Sequence, residues 1–161
     1  MKNKILYAVT LVLAFAVTSC GLIPSQANSS IEAINVNENT VAIQGYDPVA
    51  YFTLNAPTLG NSQYTANHLG ATYWFSSPEH QKLFKSDPEK YAPQYGGYCA
   101  FGVSKEKKYP IEPDAFAVVD GKLYLNLNKT VQSRWVLNTE ELIVDADAYW
   151  KEIENTPVSE L

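Results

Sequence analysis

The sequence predicts a single α+β domain, built from a small, mostly antiparallel sheet and several short helices. Three observations predict it. Two stretches rich in β-branched and aromatic residues fold back at turn signals: residues 63–69 with 71–75 about Gly70, and 115–119 with 122–125 about Asp120-Gly121. Three pairs, Asp47-Pro48, Ser77-Pro78 and Asp87-Pro88, read as helix starts. Two amphipathic segments then close the chain. With 11 Tyr, 6 Phe and 3 Trp, the 161 residues hold enough aromatic surface for one packed core.

In chain order, residues 1–19 come first: Lys2 and Lys4, an apolar run over residues 5–17, then Thr18-Ser19 before Cys20. A basic start, a hydrophobic stretch short for a bilayer and small residues before a break form a secretory signal peptide. Residues 20–30 are small and polar with one proline, a flexible tether. Residues 31–43 alternate weakly around Asn37-Glu38-Asn39, which favours a strand or hairpin. Asp47-Pro48 opens a short turn over residues 48–52, Ser77-Pro78 a helix to about Lys85, and Asp87-Pro88 a single turn around residues 89–91. In each pair the acceptor side chain serves orphan N–H groups and the proline gives up none that mattered. Residues 93–103 hold glycines, large aromatics and Cys99, and read as a loop or irregular helix start. A helix over residues 129–137 turns Val131 and Trp135 inward. A last one after Thr139 aligns Leu142, Ala146, Tyr149, Trp150 and Ile153 and leaves Asp145 and Asp147 solvated.

Charge and cysteine content exclude several function classes. Twelve Lys and Arg stand against 17 Asp and Glu, and loss of residues 1–19 removes two lysines and no acid. Such a surface repels phosphate backbones, so nucleic acid is not an expected partner. The two cysteines are Cys20 and Cys99, and a lipidated Cys20 leaves Cys99 without an internal disulfide partner. Gly-x-Ser-x-Gly, HExxH and phosphate-loop signatures are absent, and no nucleophile, base and orienting group share a usable spacing.

Two resemblances follow from these residues. Val17-Thr18-Ser19-Cys20 resembles the lipobox of bacterial lipoproteins, which implies cleavage before Cys20, a diacylglyceryl group on its thiol and a further acyl chain such as palmitate on its amine. Gly21 after the cysteine agrees, by the same analogy, with sorting to the periplasmic face of an outer membrane in a two-membrane host. Residues 70–91 (GATYWFSSPEHQKLFKSDPEKY) resemble the core of a YHS domain. The flanking 45–52 (GYDPVAYF), 95–100 (YGGYCA) and 120–126 (DGKLYLN) are similar to the envelope branch of that family, so the YHS-like domain spans residues 31–161. The resemblance implies an α+β fold, an envelope location and no established catalysis. Related domains handle metals through cysteines at a strand end and helix start, where this chain has Ser76 and His80.

The residues that bear chemistry each carry two readings. His80 reads as a half-buried histidine bonded to backbone or a tyrosine, or as a metal ligand or proton carrier. His68 reads as surface decoration. Cys99 reads as a small buried hydrophobe, or as a thiolate held by backbone N–H groups near Gly96-Gly97. Tyr46, Asp47 and Tyr51 beside Tyr95, Tyr98 and Cys99 form the expected ligand pocket, aromatic with one carboxylate. The expected function is a lipid-anchored, non-catalytic binding or sensing module for a small ligand or an envelope protein, with no cofactor required. The alternative is a metal or redox transfer protein that uses His80 and Cys99 with copper, zinc or haem. A serine and too few soft ligands speak against a structural zinc.

Overall fold

The computed structural model describes residues 32–161, so the signal segment, Cys20 and the tether lie outside the described residues. Among the described residues no helix is long and apolar enough to cross a membrane. The order is α1 (Ala50–Thr53), β1 (Asn61–His68), β2 (Ala71–Phe75), α2 (Pro78–Ser86), α3 (Pro88–Tyr91), α4 (Ala100–Val103), β3 (Glu112–Val119), β4 (Lys122–Asn126), α5 (Lys129–Trp135) and α6 (Thr139–Ile153). Together they make one α+β domain.

The strands form two separate antiparallel hairpins rather than one sheet. Each closes through a two-residue turn: Leu69-Gly70 with φ 49° and 84°, and Asp120-Gly121 with φ 50° and 73°. Positive φ at both central residues matches the right-handed twist of the strands. The segment before the first hairpin folds on itself through one bridge, Val36 to Ala42, and touches the hairpin through another, Val41 to Thr72. The weak alternation there gives a turn stitched to the sheet edge, not a full strand.

The proline pairs act locally. Ser77 accepts from His80 N at 3.1 Å and starts α2, while Asp87 accepts from Lys90 N at 3.3 Å and starts α3. Asn128 caps α5 in the same way through Val131 N at 2.9 Å. Two apolar clusters fill the interior. One joins the first hairpin to α2 through Tyr73, Phe75 and Phe84; the other packs Trp135, Tyr124 and Tyr95 beneath α6.

Lys108 fastens the chain ends together. It is 2% exposed, and its ammonium donates to the carbonyls of Glu32, Glu154 and Thr156 at 2.8–2.9 Å. The same ammonium lies 5.2 Å from the Tyr98 ring and 5.5 Å from the Trp150 ring, so its charge is held without a carboxylate.

Candidate functional site

Asp47 is fully buried, and its side chain is the most densely bonded in the domain. Oδ1 accepts from Val49 N at 2.9 Å and from Ala50 N at 3.4 Å, the local turn that Asp-Pro favours. Oδ2 accepts from Ser76 N at 2.8 Å and Ser76 Oγ at 2.6 Å, and faces His80 Nδ1 at 2.6 Å. An ionised carboxylate only accepts, so Nδ1 carries the proton on that side of the ring. Ser76 ends β2 and binds Asp47, while Ser77 starts α2. That division sets His80 in the first turn of the helix, directly over the carboxylate.

The far nitrogen of His80 meets Thr53 Oγ1 at 3.1 Å. Thr53 sits at the end of α1, and its hydroxyl also lies 3.1 Å from Val49 O within its own helix. One hydroxyl hydrogen therefore serves two acceptors, which leaves Thr53 a poor nucleophile. The set works as a clasp: Asp47 holds the start of α1 and the end of β2, and His80 joins α2 to the end of α1. The His80 ring is bonded by two hydroxyls and a carboxylate, not by backbone or a tyrosine. One ring nitrogen among hydroxyls does not fit Zn²⁺ or Cu⁺.

Cys99 is 1% exposed and caps α4. Its sulfur accepts from Leu127 N at 3.2 Å and Gly102 N at 3.4 Å, and its thiol points to Asn126 Oδ1 at 3.9 Å. Backbone N–H groups do surround the sulfur, but they come from Gly102 and Leu127, not from Gly96-Gly97. Burial pushes the thiol pKa up and those N–H groups offset only part of the rise. Cys99 and His80 share no partner. Among the described residues no group of three His, Cys, Asp or Glu side chains could hold a metal ion.

The expected aromatic pocket is not assembled. Tyr51 donates to Pro113 O at 3.1 Å and packs edge-on against Phe116, and Tyr46 packs against the same cluster as Asp47's neighbours. Tyr95 and Tyr98 belong to the other cluster. Tyr95 donates to Asp147 Oδ1 at 2.9 Å, and Tyr98 lies 3.3 Å from Glu32 O. Tyr51, Tyr95 and Tyr98 diverge because each phenol finds a different acceptor, and Asp47 is saturated by donors of its own. Asp147 is exposed yet bonded to Tyr95, so it is more than a solvated charge.

No protein-family model, curated protein or solved structure matches this chain.

A concavity with an aromatic lining lies elsewhere. A cleft of about 210 Å³ opens between the tip of the first hairpin, α3, the glycine turn at Gln94–Gly97 and the end of α6. Tyr73, Tyr95, Trp150, His68, Glu89 and Glu154 supply its aromatic and ionisable lining. Of the expected pocket, only Tyr95 reaches it. His68 is not surface decoration: its side chain is 14% exposed and pairs with Glu89 at 3.3 Å, while its ring meets Phe84 edge-on. The signal was present, since His68 alternates with buried Ala66 and so shares its inward face. Tyr73 is 1% exposed, and its hydroxyl bonds no described residue. The buried Tyr73 side chain forms part of the cleft wall.

Proposed function

We propose that this chain is a lipid-anchored envelope lipoprotein whose YHS-like domain binds a small ligand without transforming it, and that the ligand occupies the cleft at Tyr73. The anchor rests on residues 1–21, with Cys20 as the acylated residue and the periplasmic face of an outer membrane as the expected location. The observation that carries the binding reading is Tyr73. A nearly buried phenol that lines a concavity and whose hydroxyl bonds no described residue is a donor open to an acceptor or water.

The transfer reading gains little support. A thiol that accepts two backbone N–H bonds and is raised in pKa by burial is slow to attack or exchange metal. Catalysis through His80 lacks a free nucleophile, because Thr53 is shared with Val49 O.

Native mass spectrometry of the lipoprotein taken from envelopes in mild detergent tests the reading. A non-covalent small-molecule adduct is expected, lost when Ala92→Phe fills the cleft, while Cys20→Ser releases the protein from the membrane fraction. Stoichiometric copper or zinc together with a thiol that reacts within seconds would overturn it in favour of transfer.

A further inference from the structure

We propose that the occupant of this cleft is a small organic cation, an ammonium group carrying few carbons; the inference rests on the cleft being the ligand site. The lining holds two carboxylate residues, Glu89 and Glu154, and no lysine or arginine. Its aromatic lining is Tyr73, Tyr95 and Trp150, with the Tyr95 and Trp150 rings edge to face at 6.0 Å. Carboxylates beside aromatic faces are the chemistry that recognises an ammonium ion, through charge and through the negative ring quadrupole. Phosphates and carboxylates would meet repulsion from the same walls.

The hydroxyl of Tyr73 gives the site a second handle. It lies close enough to Glu89 for that carboxylate to disfavour its ionisation, after burial, so it stays a neutral donor and acceptor. An amino alcohol would place its cationic head by the carboxylates and its hydroxyl by Tyr73. The aromatic half of this recognition already occurs in the domain: the Lys108 ammonium lies 5.5 Å from the Trp150 ring, bonded to backbone carbonyls rather than carboxylates, and is not part of the cleft lining. Size agrees as well, since about 210 Å³ admits a molecule of choline's dimensions.

The source could be a free amine or a lipid headgroup, and the carboxylates favour the free amine because a headgroup brings its phosphate with it. Calorimetric titration of the detergent-solubilised lipoprotein uses three probes: choline, its neutral isostere 3,3-dimethyl-1-butanol, and soluble dihexanoylphosphatidylcholine. Choline is expected to bind about tenfold tighter than the isostere and tighter than the phospholipid. Trp150→Leu is expected to abolish the choline heat, and Glu89→Gln to weaken binding about fivefold. Equal binding of choline and isostere overturns the cation class and leaves the cleft as a ligand site. Heat from neither probe, with no adduct in the native spectrum, removes both readings. Tighter binding of the phospholipid keeps the cation and assigns it to a membrane headgroup.

Discussion

The Asp47 carboxylate and the His80 ring nitrogen, 33 residues apart in sequence, meet at 2.6 Å with Asp47 fully buried and His80 nearly so. The contact decides whether these two residues are a site or a joint. Every lone pair of Asp47 is committed to Val49, Ala50, Ser76 or His80, so no bond remains for a ligand.

Asp47→Asn should therefore act on stability. An amide would turn an N–H₂ group toward existing donors and leave His80 without its acceptor. Each buried donor or acceptor left unpaired in this way costs about 1 to 3 kcal/mol, and Asp47→Asn unpairs more than one. His80→Ala, which leaves four donors on the carboxylate, should cost less, about 2 kcal/mol. Urea unfolding of both single variants and the double variant checks this. The double variant should cost less than the two singles together, and a cost below about 1 kcal/mol for Asp47→Asn would show that the clasp is dispensable.

How the chain announced these parts depends on distance along it. Ser77 and Asp87 each bond a backbone N–H three residues on and were readable from the proline that follows; Asn128 bonds in the same way but has no such mark. The hairpins were readable locally too, because Gly70 and Asp120-Gly121 sit between facing runs. Asp47 was recognisable as a cap, and its bonds to Val49 and Ala50 are that cap. Its bonds to Ser76 and His80 span 29 and 33 residues and depend on how α1 docks on the end of β2. The cleft is less local still. Its walls come from residues 33–34, the hairpin tip, α3 and α6, and no periodicity links Tyr73 to Trp150. Placing Tyr95 beside Tyr46 failed because Tyr95 bonds Asp147, 52 residues away, on a helix face that looks purely solvated by pattern.

Gly96 is where the N-terminal segment closes the cleft, and Gly96→Ala should open it. Gly96 has φ 59°, and a Cβ there would overlap the Ala33 carbonyl oxygen. The same residue accepts from Asn35 N at 2.9 Å, so displacing Ala33 also loosens that bond. The expected cost exceeds about 1 kcal/mol, with new proteolytic cleavage near residues 33–36 under native conditions. An unchanged digestion pattern would mean that the segment docks without this contact.

Leu69 marks a place where the chain is less stable than it could be. It has φ 49° at the hairpin tip and is 62% exposed, so the turn is strained and the side chain gains little from packing. Asn accepts this conformation more easily and precedes Gly70 as in the preferred two-residue turn. Leu69→Asn should stabilise the domain by about 0.5 to 1 kcal/mol, read as a higher midpoint in urea with an unchanged slope. A loss of stability would indicate that Leu69 packs on the cleft rim more firmly than its exposure implies.

Alkaline pH should unfold this domain through its phenols. Tyr51, Tyr73, Tyr95, Tyr98 and Tyr124 are all buried, and in each the pKa is raised above 10.0, chiefly because burial disfavours the phenolate. For Tyr95 the hydrogen bond to Asp147 adds to the rise. The unfolded chain loses these protons near pH 10 while the folded chain keeps them, so the folded state binds more protons above that point. Stability from the tyrosines is therefore complete below pH 10 and falls as pH climbs toward the folded values, by up to about 1.4 kcal/mol per pH unit for each. Cys99 has the same sign and begins earlier, from its ordinary value of 9.0. Lys108 has the opposite sign: its pKa is lowered by burial, so its unfolded form holds the proton longer and stability rises slightly with pH below 10.5. One lysine against five tyrosines leaves the net slope negative above pH 10. Urea midpoints from pH 8 to 11.5, with tyrosinate absorbance followed in parallel, should show five phenols ionising in one cooperative step with unfolding, after the share from phenols already in solvent such as Tyr109. Ionisation of all the phenols before the midpoint moves would place these hydroxyls in solvent and remove the buried-phenol account.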